Sequence, residues 1–261
     1  MPIIQSVERA LRILDLFDEY NVEIKITDIS TQIGLHKSTL HSLLKTLQVA
    51  GYIDQNKENG KYRLGMKLVE RGNLVVNSID IREKARSYLL DLASQTGQTT
   101  HLALLDGKEA VYIDKVEGKL AVITFSRIGR RLPLHSTAIG KVLMAFSSED
   151  EVNALLQDYD FTRQTSNTLV DKEAYLKELA SVRQQGYAID NQENEQGVRC
   201  ISVPIWNHAR RIIAAISMST LTNRVSDDDI KDYILLLKAA SQALSQQLGY
   251  EGWKEERALA E

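Results

Sequence analysis

Between Lys37 and Lys45 the side chains available to a partner are Ser38, Thr39, His41 and Ser42, with the two lysines at either end. Each donates or accepts hydrogen bonds or carries positive charge, and no carboxylate stands among them. Base edges in a DNA major groove present donors and acceptors, and the phosphates beside them repel anions. This set therefore has the chemistry of a groove-reading surface. The intervening Leu40, Leu43, Leu44 and Leu47 fall at i, i+3, i+4 and i+7, which predicts a helix with one apolar stripe turned inward.

A second set lies far downstream. In LPLHSTAIGKVLMAF, over 132–146, Ser136 is a cap for a buried helix. The amides of Thr137, Ala138 and Ile139 would then lack intrahelical partners and, with the helix dipole, would attract an anion. Gly140 inside the helix suggests a close backbone approach. Two β segments, 198–205 and 211–219, alternate so that Cys200 and Ser202, and Ser217 and Ser219, face opposite to Ile201, Val203, Ile205, Ile212, Ala214, Ile216 and Met218. Small and hydroxylic residues on one face of central strands suit a polar-lined cavity or a solvated face. The polar run 190–195, starting at Asp190, is a cover for such a cavity or a surface turn.

Positioning elements follow from the rest of the pattern. Thr27 as cap, Ile29 and Ile33 as an inner side and Gly34 as a stop predict a short helix before the groove-reading one, a helix-turn-helix over 27–51. A helix after Ser6, burying Val7, Ala10, Leu11, Leu14 and Phe17, would pack behind the pair. Strands over 52–55 and 61–64 about Asn59-Gly60 predict a hairpin wing, and 21–25 is a loop or a short strand beside it. Lys37, Lys45, Lys57, Lys61 and Arg63 outweigh Asp54 and Glu58 here, while the chain as a whole carries −3. Cationic character is thus local, as a DNA site requires, with Lys61 and Arg63 as wing contacts.

Two helices, 66–79 and one opened by Asp80 with Glu83, lead to a hairpin over 99–105 and 109–116 and a third strand over 120–126. Ser148 with Glu151 caps a further helix, Asp171 to Gly186 bounds another, strands follow from 187–190, and Ser226 opens a last long helix. The domains expected are 1–65, a helical linker 66–79, an effector domain 80–250 and a polar tail 251–261. The whole is α+β, its second half a mixed domain with a mainly antiparallel sheet.

The 261 residues, 43% of them hydrophobic, suffice for one or two cores. A single cysteine excludes an internal disulfide, and no apolar run is long enough to span a bilayer. A cytoplasmic protein without a membrane partner is expected. No metal or cofactor site is expected, because His36, His41, His101, His135 and His208 show no ligand spacing. Two other readings compete: an enzyme with Cys200 as nucleophile and His101 or His135 as base, and a winged helix that binds protein instead of DNA.

The chain resembles the IclR family of bacterial transcription regulators in five ordered blocks: SVERALRILDLF at 6–17, KSTLHSLLKTLQVAGYI at 37–53, YRLG at 62–65, LPLHSTAIGKVLMAF at 132–146 and GYAIDNQENEQGVRCISVPI at 186–205. The resemblance implies a winged helix-turn-helix joined to a GAF-like effector domain. It also implies binding to double-stranded operator DNA as a dimer or tetramer, and small organic-acid or aromatic-acid effectors. By position it places effector contacts on Ala138, Ile139, Asp190, Cys200, Ser217 and Ser219, with a further wall near Thr124. The chain departs from many relatives at Ser42, where Arg is frequent, and at His36, where Pro is frequent.

Overall fold

The computed structural model describes residues 3–18, 20–77, 80–120 and 126–251, with backbone alone at 75–77 and 80. The chain divides into two compact units, Met1–Ile79 and Asp80–Glu261.

In the first unit, α1 (Gln5–Leu14), α2 (Ile26–Ile33) and α3 (Lys37–Val49) enclose a core of Ile13, Phe17, Ile24, Ile29, Ile33, Leu40, Leu44 and Leu47. Each large apolar side chain withdrawn from water contributes about 1.5–3 kcal/mol, so the α3 stripe alone fixes which way that helix faces. Gly34 ends α2 at φ 71°, a left-handed turn that costs glycine little. The wing is β1 (Ile53–Gln55) against β2 (Tyr62–Leu64), with Asp54 opposite Arg63. Ile24 bridges Tyr62, so the segment before α2 supplies the short third partner. α4 (Lys67–Asn77) follows.

Two expectations for this unit need correction. Lys25, not Thr27, is the residue before α2; Thr27 lies inside the helix and its hydroxyl donates to Asp28. On α1, Val7 and Leu11 are exposed and Ile13 is fully buried. The apolar residues of the helix form one broad arc, with Ile13 at one edge, Ala10, Leu14 and Val7 between, and Leu11 at the other edge. Only packing decides between them.

The second unit opens with α5 (Asp80–Thr96), in which Asp80 is already helical. Among the described residues a six-stranded antiparallel sheet follows: β3 (Thr99–Asp106), β4 (Glu109–Val116), β5 (Arg131–Pro133), β6 (Ala188–Asn191), β7 (Val198–Trp206) and β8 (Ile212–Leu221), in the order β5-β4-β3-β8-β7-β6. α5 and α9 (Asp227–Gln247) cover one face. α6 (Ala138–Ala145) covers the other and packs against α8 (Lys172–Gln185). Between α6 and α8 comes α7 (Glu149–Leu155), capped by Ser148 and Glu151 as expected. The third strand expected over 120–126 lies largely outside the described residues; β5, at the edge beside β4, falls in a stretch read as loop. A β-bulge between Ile205 and Trp206 returns Ile212 to the α6 face, against the simple alternation.

Candidate functional site

On α3, Lys37, Ser38, Thr39, His41, Ser42 and Lys45 are all exposed, because Leu40, Leu44 and Leu47 hold the opposite side in the core. His36 precedes the helix, and its Nδ1 lies 3.1 Å from Ser38 Oγ; Ser42 Oγ donates to Ser38 O at 3.4 Å. The surface therefore keeps the donor, acceptor and cationic character its residue types promise. On the wing, Lys61 is half-buried and Arg63 is ion-paired with Asp54 at 2.9 Å, which tempers its charge. Lys57 at the tip is exposed. Glu23 accepts from Asn56 Nδ2 (3.0 Å) and Asn59 Nδ2 (2.9 Å) and so ties the wing tip back to the segment before α2. Those amide bonds, Asn56 first, lower its pKa.

In the second unit, α6 begins one residue later than expected. Thr137 is its N-cap and accepts from Gly140 N at 3.1 Å; Ser136 instead donates to Asn194 Oδ1 at 3.2 Å. The amides left without a cap or an intrahelical carbonyl are then those of Ala138 and Ile139. Gly140 is required for packing: a Cβ there would stand 2.5 Å from Leu134 Cα and O. The helix start adjoins a cavity of about 30 Å³ whose walls include Tyr112, Arg130, Thr137, Ala138, Ile139, Asp190, Asn194, Cys200, Ser217 and Ser219. Such a space accommodates about one water. Cys200 Sγ and Ser219 Oγ are 3.2 Å apart, and Ser202, on the same face, is spent on Ile216 O at 2.9 Å.

Asp190, 2% exposed, stands opposite Cys200 across β6 and β7. Its Oδ1 accepts from Glu193 N at 2.7 Å and Asn194 N at 3.3 Å, folding the polar loop over the cavity. Burial pushes its carboxyl up to about 7, so near neutral pH it offers a proton or a charge with little bias. Behind the loop, Lys141 of α6 is buried with Nζ 2.7 Å from Glu193 Oε1, 3.0 Å from Glu178 Oε1 and 3.0 Å from Ile189 O. The expectation near Thr124 lies outside the described residues.

A roomier hollow, about 510 Å³ and lined by Leu143, Phe146, Ser148, Glu151 and Arg211, lies at the other end of α6. The capping box there already occupies the amides at the start of α7. The Cys200 thiol is pushed well up by burial, and His135 is engaged elsewhere, Nδ1 with Tyr159 OH (3.1 Å) and Nε2 with Thr162 O (3.0 Å). Among the described residues no thiolate–imidazole pair is assembled. Sequence reasoning missed Tyr112, Arg130 and Lys141, and took in Asn194 only as part of the polar run 190–195. Only Lys141, a lone charge inside an apolar helix, left a signal that could have been read.

Residues 6–57 match the family described as the IclR helix-turn-helix domain, and residues 73–246 match the bacterial transcriptional regulator IclR C-terminal family. The regulator XynR of Escherichia coli K12 is 65% identical over 250 residues, covering 96% of this chain and 99% of that protein. The DNA-binding transcriptional repressor YiaJ of the same organism is 33% identical over 249 residues, covering 94% and 88%. The crystal structure of the Thermotoga maritima IclR superposes with a TM-score of 0.78 at 34% identity, covering 94% of this chain and 99% of that one. A DNA-binding helix-turn-helix unit and a C-terminal effector unit, joined in one chain with these likenesses, mark it as a member of the IclR family of bacterial transcriptional regulators.

Proposed function

We propose that the protein is a cytoplasmic repressor that releases its operator, or takes hold of it, in response to a small organic acid. The observation that carries the effector half is the start of α6. Two uncapped amides and the positive helix end adjoin a buried cavity with Asp190, Cys200, Ser217 and Ser219 on its other walls. A carboxylate at the Ala138 and Ile139 amides is the occupant this geometry favours. The exposed, carboxylate-free face of α3 carries the operator half, with Lys37, Ser38, Thr39, His41, Ser42 and Lys45 on the groove and Lys61 and Arg63 on the flanking backbone. YiaJ, named a repressor, supports repression over activation.

The small size of the cavity supplies a mechanism. A space of about 30 Å³ does not admit an acid of several heavy atoms unless its walls separate. An effector therefore binds an opened arrangement more tightly than the closed one, and that difference in affinity is what shifts a population. Acting as a dimer or tetramer, the protein would read the shift as altered spacing of its α3 helices, which operator half-sites tolerate poorly. The exposed Val7 and Leu11 of α1 suit a second copy. The enzyme reading has less support: burial pushes the Cys200 thiol up, and among the described residues no base is positioned on it.

The test is thermal denaturation of the full chain with a panel of small monocarboxylic acids, paired with operator retardation. At least one acid is expected to raise the melting temperature and to change retardation. If acids that stabilise the protein leave operator affinity unchanged, the coupling is wrong; if none stabilises it, the effector reading is wrong.

A further inference from the structure

The wing holds a carboxylate where a DNA-binding surface should avoid one. Glu23 lies in the segment before α2, and its neighbour Ile24 is locked to β2 by two backbone bonds, Ile24 N to Tyr62 O at 2.9 Å and Tyr62 N to Ile24 O at 2.8 Å. That bridge fixes the carboxylate beside the wing. Its Oε1 accepts from Asn56 Nδ2 and its Oε2 from Asn59 Nδ2, across 33 and 36 residues of sequence. Phosphates repel a carboxylate, so on charge alone Glu23 weakens DNA binding.

The two asparagines it holds are the ones that build the wing tip. Asn56 Oδ1 accepts from Glu58 N and Asn59 Oδ1 from Lys61 N, both at 2.9 Å. The backbone closes the same turn, with Asn56 N donating to Lys61 O and Gly60 N to Asn56 O, again at 2.9 Å. Gly60 takes φ 69°, a left-handed conformation that a side chain would strain. Each asparagine thus turns its oxygen to the tip and its amide to Glu23. Lys57 stands inside this turn, between Asn56 and Glu58. Lys61 is half-buried and Arg63 is paired with Asp54, whereas Lys57 is exposed and is the wing cation freest to meet a phosphate. Ordering a loop at the moment of binding costs free energy, a cost that a loop already held does not incur.

We infer that Lys57 is a further phosphate contact of the operator complex and that Glu23 is its positioning residue, a carboxylate that strengthens DNA binding although it shares the phosphates' sign. This rests on the operator reading above. Glu58 gives the contrast. It is exposed at the same tip, and its amide is bonded into the turn while among the described residues no bond ties its carboxylate there. Neutralising Glu58 acts through charge alone; removing Glu23 releases the tip.

The experiment is fluorescence anisotropy of the full chain on a labelled duplex that the wild type selects from a random-sequence pool, at graded salt concentrations. Lys57→Ala is expected to weaken binding about fivefold, the attraction of one charge pair about 4 Å apart in water. It should also lower the slope of log affinity against log salt by about 0.9 for each phosphate no longer neutralised. Glu23→Ala should reproduce that loss and that slope although it removes negative charge, while Glu58→Gln should bind as tightly as wild type or more tightly. A mere loss of stability would lower affinity without changing the slope. In the Glu23→Ala background Lys57→Ala should add little, since the tip is already released. Asn56→Ala/Asn59→Ala breaks the clamp from its other side with the carboxylate kept; it should show the same loss, and it carries the test if Glu23→Ala fails to fold. Clamp variants that bind as tightly as wild type, an unchanged slope in Lys57→Ala, or losses from Glu23→Ala and Lys57→Ala that add in full overturn the inference, while Lys45→Ala still reports separately on α3. If the wild type selects no duplex, the operator reading falls and this inference falls with it.

Discussion

Replacing Lys141 with Met removes one charge from a buried cluster and leaves the chain length and stem packing of the side chain nearly unchanged. Its Nζ satisfies Glu193 Oε1 at 2.7 Å, Glu178 Oε1 at 3.0 Å and Ile189 O at 3.0 Å. Glu193, with its side chain 10% exposed, bears most of the loss; Glu178, at 32%, keeps solvent and is discounted. Breaking a buried pair by deleting one partner costs about 3–5 kcal/mol, because the remaining charge is stranded. At about 2–4 °C per kcal/mol for a unit of this size, the melting temperature should fall by about 6–20 °C. Removing both charges, in Lys141→Met/Glu193→Gln, should recover most of that loss. Burial raises the Glu193 pKa against the pull of Lys141, and removing the lysine raises it further. The deficit should therefore shrink as pH falls to and below the unfolded carboxyl value, beneath which Glu193 is protonated in both states. Urea denaturation of the three proteins near neutral pH and again in mild acid measures all of this. A loss below about 1 kcal/mol for Lys141→Met, or a double variant as damaged as the single one, would refute the reasoning.

Two other outcomes follow from the same structure. Asp190→Asn should alter the pH dependence of stability: a carboxyl raised from 3.8 to about 7 favours folding most below its ordinary value, and that contribution is lost as pH rises from there to about 7 and is flat beyond it. The wild type should therefore lose up to about 1.4 kcal/mol per pH unit in that window relative to the variant, and parallel urea-midpoint profiles would contradict it. Lys45→Ala should weaken operator binding similarly across related sequences and reduce the slope of log affinity against log salt by about 0.9 for each phosphate no longer neutralised. An unchanged slope in fluorescence anisotropy removes Lys45 from the interface.

Much of the first unit was legible because α3 has one apolar stripe and one polar face, which leaves its orientation no alternative. α1 has one broad apolar arc with Ile13 and Leu11 at its opposite edges, so the two exchange places between expectation and structure. The caps were off by a residue or two at α2 and α6 for a related reason: hydroxyl residues cluster there, and only backbone geometry chooses among Ser136, Thr137 and their neighbours. Strand alternation correctly separated Cys200, Ser202, Ser217 and Ser219 from the apolar face, until a bulge reversed Ile212. What alternation cannot give is which strand lies next to which. The β3–β8 pairing that brings Thr99 and His101 beside Ser219 and Ser217 joins segments over a hundred residues apart, and no local pattern announces it. Arg130 and Tyr112 escaped notice for the same cause; Lys141 did leave a signal, a lone charge in an apolar run, but one that serves a solvated edge as well as a buried ion pair.

The most direct test is operator affinity measured by fluorescence anisotropy for wild type and Ser217→Leu, each with and without saturating concentrations of an acid that stabilises the wild type. The added side chain takes more than the cavity's volume between β8 and α6, so the variant's operator affinity is read only after its unliganded melting temperature shows it folded. The wild-type operator affinity is expected to change by about tenfold or more on adding acid, a differential of about 1.4 kcal/mol, while the variant's affinity stays where it was without acid. An equal response from the filled variant would place the effector elsewhere and contradict the account.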